Sequence, residues 1–280
     1  MARSRHRSAL VVALLVAAAL VLPAALEAVL VAPHAVFMSH RARTGQLQLH
    51  NTGTRPEEVT IELMYGYPAA DSTGRVRVEL TDTPDSTEPS ASGWVRAFPR
   101  RLVLAPGDRQ VVRLLATPPE GLDDGEYWSR IVVTSRAAQE RAQAADSGVT
   151  TGIDMQLRTV LSLIYRKGAI STGIAIDSLA ATGDRDSLVA TARLDRGGNG
   201  AWIGNAVFTL ADSTGATVDD WTNAVAVYRS DTRRFVLPLD SVPAGSYRLR
   251  VELNTDRTDV DRRHILQAPA VLDSLDLEIG

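Results

Sequence analysis

From Ile153 to Arg166 the chain reads IDMQLRTVLSLIYR. Ile153, Met155, Leu157, Thr159, Leu161, Leu163 and Tyr165 fall on one side, and Asp154, Gln156 and Arg158 open the other. Extended backbone sends successive side chains to opposite faces, so this period of two predicts a β-strand. At 14 residues it far exceeds the usual strand of about 5–6. Its C-terminal half can lie within a sandwich of its own. Ile153, Met155 and Leu157, at its start, are expected to project beyond that sandwich as an open edge. Such an edge invites pairing with another chain.

The remaining pattern is short strands punctuated by turns. Val29–Phe37 is a strand that Pro33 confines to an edge or to a switch between sheets. Gln46–His50, Val59–Tyr65, Val76–Leu80, Trp94–Phe98, Arg101–Leu104, Gln110–Ala116 and Tyr127–Ser135 follow. Turn residues separate them, and Thr81–Gly93 is a Pro-, Ser-, Thr- and Asp-rich loop. Residues 136–152 carry only a weak apolar face and predict a mobile loop leading into the long strand. After a junction at Lys167–Gly173 the same grammar resumes. Its strands are Ile174–Leu179, Ser187–Leu194, Ala201–Leu210, Val218–Tyr228, Arg234–Leu239, Tyr247–Leu253, Arg263–Leu266 and Leu272–Ile279.

Many short strands at this spacing predict an all-β chain of two immunoglobulin-like β-sandwich domains in tandem, 29–168 and 169–280. Two further motifs support that. Leu122–Tyr127 (LDDGEY) and Val242–Tyr247 (VPAGSY) each place a tyrosine just inside a late strand, after a tight turn. A tyrosine corner has that form: the hydroxyl bonds back to the main chain a few residues upstream.

Composition narrows the setting. The 280 residues carry a net charge of −3, with Lys167 the only lysine. A charge so small and evenly mixed argues against nucleic acid as a partner. At the N-terminus, Arg3, Arg5 and Arg7 precede the apolar run Leu10–Leu22, and small residues follow to Ala28. Residues 1–28 therefore read as a signal peptide, and the product as exported. The apolar run is shorter than the about 20 residues of a membrane helix, and no later segment reads as a span. There is no cysteine, so an exported fold must rest on its hydrophobic cores without disulfides.

Catalytic chemistry is not apparent. His34, His40 and His50 share one region, but their spacing matches no metal-ligand motif. Asp71-Ser72-Thr73-Gly74 and Asp212-Ser213-Thr214-Gly215 faintly resemble an aspartic-protease loop. Those residues are also favoured turn formers, and turns are the reading adopted. Asp256, Asp259 and Asp261 lack the glycine and terminal glutamate of a calcium loop. The chain is expected to be no enzyme and to use no metal or cofactor.

As an ordered set, the motifs resemble a known family. They are Ala35–Phe37 (AVF), Leu47–Gly53 (LQLHNTG), Trp94 ahead of Pro99, Leu104–Gly107 (LAPG), Val112–Leu114 (VRL), Asp124–Trp128 (DGEYW) and Leu163–Arg166 (LIYR). Over about residues 29–168 this is similar to the N-terminal domain of PapD-like periplasmic chaperones of the chaperone–usher type. The resemblance implies a boomerang of two immunoglobulin-like domains in the periplasm. It also implies a non-enzymatic function: holding and capping pilus subunits that lack their last strand, with an outer-membrane usher as a further partner. Donation of the long strand would place Ile153, Met155 and Leu157 in the subunit's open core. The family grips the subunit's terminal carboxylate with an Arg on the first strand and a Lys on the long one. Here those positions are His34 and Ser162, neither a permanent cation, and Arg158 and Arg166 on the same strand face are the candidate substitutes. The alternative is an exported structural or adhesive module of the cell envelope whose long strand is paired at home.

Overall fold

The computed structural model describes residues 29–138, 155–184, 186–240 and 242–280. The expected signal peptide, most of the expected loop at 136–152, and Ile153 lie outside them. The first sandwich comprises β1 (Val29–Ala32), β2 (Ala35–Ser39), β3 (Thr44–Asn51), β4 (Glu57–Met64), β5 (Pro68–Ala70), β6 (Val76–Val78), β7 (Val95–Phe98), β8 (Arg101–Leu104), β9 (Arg109–Ala116), β10 (Gly125–Ala137) and β11 (Gln156–Lys167). One layer has the order β1-β3-β9-β7, the other β2-β11-β10-β4-β8, and β5-β6 form a separate hairpin. Alternation along each strand drives Leu47, Leu49, Ile61, Val112, Leu114, Ile131, Leu161, Leu163 and Tyr165 into one core between the layers.

Pro33 acts as the sequence suggests. Ala32 still pairs with Gln48 in the first layer, whereas Ala35 pairs with Ser162 in the second, parallel to β11. A single N-terminal segment thus serves both sheets, changing between them at a residue with no N–H to give.

The second sandwich comprises β12 (Thr172–Gly183), β13 (Ser187–Gly198), β14 (Trp202–Ala211), β15 (Thr217–Val227), β16 (Asp231–Pro238), β17 (Gly245–Asn254) and β18 (Val271–Ile279). Its ladders run β15-β14-β17-β18-β12-β13-β16. The step from β18 to β12 is one parallel pair, Gly183 with Ile279, so the run folds there into layers of four and three strands. Trp202, Phe208, Leu210, Leu188, Leu194 and Leu249 fill the space between them.

Both tyrosine corners are present. Tyr127 donates its hydroxyl to the Asp123 carbonyl at 2.9 Å, and Tyr247 to the Pro243 carbonyl at 2.8 Å. Both Asp-Ser-Thr-Gly segments are turns in which the aspartate accepts from the threonine N–H and hydroxyl. Three elements depart from the sequence reading. Pro68–Ala70 forms an unforeseen strand, and β10 runs two residues into the expected loop. The strand expected at Arg263–Leu266 is instead a short 3-10 turn, Arg262–His264, capped by Asp261 accepting from the Arg263 N–H. Asp at an N-cap favours that outcome over extended chain.

Candidate functional site

The long strand has two unlike halves. Along one edge β11 pairs with β10 over its whole length. Along the other, β2 covers only Ser162–Arg166. Ser162 donates its N–H to the His34 carbonyl (3.2 Å), and Arg166 accepts at its carbonyl from the His40 N–H (2.9 Å). Main-chain direction alternates along a strand, so Gln156, Arg158 and Val160 turn their N–H and C=O groups toward the same outer edge. Among the described residues no strand pairs with them there. The cause is the switch at Pro33, since the chain that could continue β2 lies in the opposite layer as β1.

Side chains divide in the same way. Leu161, Leu163 and Tyr165 are buried in the core. Met155 and Leu157 continue the same face, yet are 74% and 38% exposed. Their apolar surface has outrun the sandwich that would cover it. Val160, on the opposite face, is exposed as well.

The four candidate carboxylate contacts do not converge equally. His34 is exposed, and its carbonyl serves β11. Arg158 is exposed, one guanidinium nitrogen 3.2 Å from the Met64 Sδ. Ser162 is half-buried and accepts from Arg130. Arg166 already has a carboxylate: its Nε donates to the buried Glu126 at 2.8 Å while its guanidinium lies over the Phe37 ring.

Arg130 is the residue that sequence reasoning passed over. It stands on β10 between Ser162 on β11 and Met64 on β4, and is 5% exposed. Its Nε donates to the Gly66 carbonyl at 2.9 Å and Nη1 to the Ser162 hydroxyl. Nη2 is buried with no partner among the described residues. The guanidinium lies 5.4 Å from the ring centre of Tyr228, on the second sandwich. Burial raises the Tyr228 hydroxyl's pKa, against a smaller lowering by the Arg130 charge. A buried cation with an unused donor is costly, and its presence calls for an explanation. The signal was available: Arg130 is the one charge inside the otherwise uncharged run Tyr127–Ser135.

Around this arginine the two sandwiches meet. Glu126 accepts from the Trp128 indole (2.8 Å), from Arg166 (2.8 Å) and from the Ala201 N–H of the second sandwich (3.1 Å). Tyr65, Trp128, Ala201 and Tyr228 form a small core of their own. Phe37 stacks on His264 with ring centres 4.3 Å apart. Of the three clustered histidines, His40 bonds Tyr165 and Arg43, and His50 lies in β3 between Leu30 and Arg109. No group of three or more metal-binding side chains occurs among the described residues.

No protein-family model and no curated protein matches the chain. Solved structures do resemble it. One is a chain from the chaperone–tip adhesin complex of CFA/I fimbriae biogenesis, 10% identical, TM-score 0.46, over 88% of this chain and 98% of that one. Another comes from the Salmonella enterica SafA pilin–SafB chaperone complex, 13% identical, TM-score 0.45, over 90% and 98%. A third is from the CsuC–CsuE chaperone–tip subunit complex of Acinetobacter baumannii, 11% identical, TM-score 0.43, over 90% and 98%.

Proposed function

We propose that this protein is a non-enzymatic periplasmic chaperone that caps secreted immunoglobulin-like subunits by lending them the first half of β11. The observation that carries the proposal is the coincidence of three features on one short stretch. Main-chain groups at Gln156, Arg158 and Val160, which no strand among the described residues pairs with, form a ready ladder edge. Met155 and Leu157 present apolar surface that the protein's own core leaves uncovered. Arg130, whose buried Nη2 has no hydrogen-bond partner among the described residues, donates to Ser162 where that edge ends. A subunit missing its last strand supplies the complement to each: an unpaired edge, an open core and, at its chain end, a carboxylate. Backbone bonds would provide affinity and alternate side chains the register, as in β-strand addition generally. Full burial of Met155 contributes up to roughly 1.5–3 kcal/mol, and that of Leu157, already more than half covered, less, offset in part by the ordering of the partner.

Ile153 extends the same stripe and is proposed as the third inserted side chain. Arg130 takes the anchoring role for which His34, Arg158, Ser162 and Arg166 were the sequence candidates, with Ser162 as its neighbour on the donated strand. Arg166 is already committed to Glu126. The test is co-expression with a strand-deficient immunoglobulin-like pilus subunit. Wild type should co-purify with it. Leu157→Asp and Met155→Asp should lose it while keeping a native circular-dichroism spectrum. Normal capture by both variants would exclude the donated strand.

A further inference from the structure

The chain contains the turn Asp-Ser-Thr-Gly twice, at Asp71–Gly74 and Asp212–Gly215, and the two copies are built alike. In each the aspartate accepts from the threonine N–H and hydroxyl, and from the N–H four residues on. In each the glycine has positive φ, 76° and 87°. Their surroundings differ completely. A Cβ built on Gly215 would meet nothing within 4 Å. A Cβ on Gly74 would lie 2.7 Å from the Arg234 Cβ and 3.0 Å from its main-chain nitrogen. The first turn is pressed against the second sandwich, and the second is free.

The contact is a main-chain one. Gly74, at the tip of the β5-β6 hairpin, accepts the Arg234 N–H at 3.0 Å. Arg234 belongs to β16, whose other edge is taken by β13, and which ends the sheet order of its sandwich. At the hairpin's first strand, Ala70 donates its N–H to Asp231 (3.0 Å), and the Pro68 carbonyl faces the buried Arg233 guanidinium (3.4 Å). Asp231 also holds Arg233 at 2.7 Å, so one buried pair in the second sandwich meets both polar groups of the hairpin. The base of the hairpin is closed by Tyr65 and Thr81, which exchange both main-chain bonds, and Tyr65 itself lies in the core between the sandwiches.

We infer that the β5-β6 hairpin is a clasp that fixes the angle between the two sandwiches by capping the free edge of β16. The mechanical reason lies in where the attachments fall. Near the linker, Asp124, Glu126, Ala169, Asn199 and Ala201 already tie the halves together. The Tyr65–Trp128–Ala201–Tyr228 core and the Phe37–His264 stack add to that attachment. The hairpin grips β16 opposite Thr191, eight residues back along the sheet from Asn199, which is about 25 Å at the usual strand rise. An attachment that far from the linker opposes rotation about it with a long lever arm. The same contact covers main-chain groups on β16 that would otherwise recruit another chain.

The experiment measures the distance between spin labels on single cysteines placed at the exposed Thr44 and Ser274, one on each sandwich. The chain has no cysteine of its own to compete. Gly74→Val should broaden the distance distribution and shift it relative to the parent. Gly215→Val carries the same positive-φ strain without the contact and should leave the distribution as it was. Arg234→Pro removes the donor from an edge strand that tolerates proline, and should act like Gly74→Val. If Gly74→Val fails to fold, Arg234→Pro decides alone. A parent-like distribution in folded Arg234→Pro, or equal broadening in Gly215→Val, overturns the clasp. The readout needs no client, so its failure would leave the strand-lending proposal standing.

Discussion

The two halves of β11 share one sequence pattern and live in different physical worlds. From Leu161 to Tyr165 the inward residues are buried, and from Ser162 to Arg166 both edges of the strand are paired. From Met155 to Val160 the alternation continues, but among the described residues β10 alone pairs with Gln156–Val160, and Met155 and Leu157 meet solvent. Nothing in the local pattern marks the change. It follows from a partner strand that leaves at Pro33 and from a core that ends before the strand does. A strand half committed to its own fold and half available is what a lent strand requires: one end holds the register that the other end offers.

The largest expected effect tests that division directly. Leu163→Ala removes a fully buried side chain and should cost about 2–5 kcal/mol in urea unfolding. Leu157→Ala, six residues earlier on the same face, should stay within about 1 kcal/mol of wild type, as surface changes usually do. Comparable losses at both positions would mean that the outer half is covered at home.

Arg130→Met should separate the two roles next. Replacing a buried, incompletely bonded charge with an apolar side chain is often neutral or stabilising, so the thermal midpoint should hold or rise. Capture of a subunit should weaken about ten- to hundredfold, the worth of one hydrogen bond to a charged group at roughly 1.5–3 kcal/mol. Unchanged capture would remove Arg130 from the site.

Amide exchange sharpens the comparison residue by residue. Leu157, Thr159 and Leu161 direct their N–H groups to β10, while Arg158 and Val160 direct theirs to the open edge. NMR-detected exchange should alternate, slow at Thr159 and Leu161, fast at Arg158 and Val160. Bound subunit should slow the latter pair. Uniform protection in the free protein would show that the edge is occupied.

The smallest effect concerns His264, which stacks on the Phe37 of β2, the strand that closes the inner half of β11's edge. Burial first, and then the Arg263 charge, hold its pKa below the usual 6.5, with Arg166 adding to the depression and Asp261 opposing it. A histidine depressed in the folded state binds its proton more readily when unfolded. The contribution is therefore whole above about pH 6.5 and is lost as pH falls through that value toward the folded one. His264→Phe should flatten that part of a stability–pH curve, and an unaltered slope would assign the acid sensitivity elsewhere.

What could be read without coordinates was whatever repeats over a few residues. Alternation located the long strand and its apolar start, turn residues separated the short strands, Pro33 announced a change of sheet, and two tyrosines announced their corners. The Arg263–Leu266 strand was misread because an N-capping aspartate outweighed a short apolar pair. Arg130 was overlooked because its burial depends on Tyr228, almost a hundred positions away.

Local pattern by itself therefore determined which faces are apolar and where extended chain begins and ends, because period and turn chemistry are properties of neighbouring residues. Tertiary structure alone decided which edge of β11 no other described strand pairs with, which guanidinium nitrogen finds no partner among the described residues, and which of two identical turns is pressed against the other sandwich. Each of those depends on the meeting of segments distant along the chain, and a strand's alternation is the same whether or not another strand lies beside it.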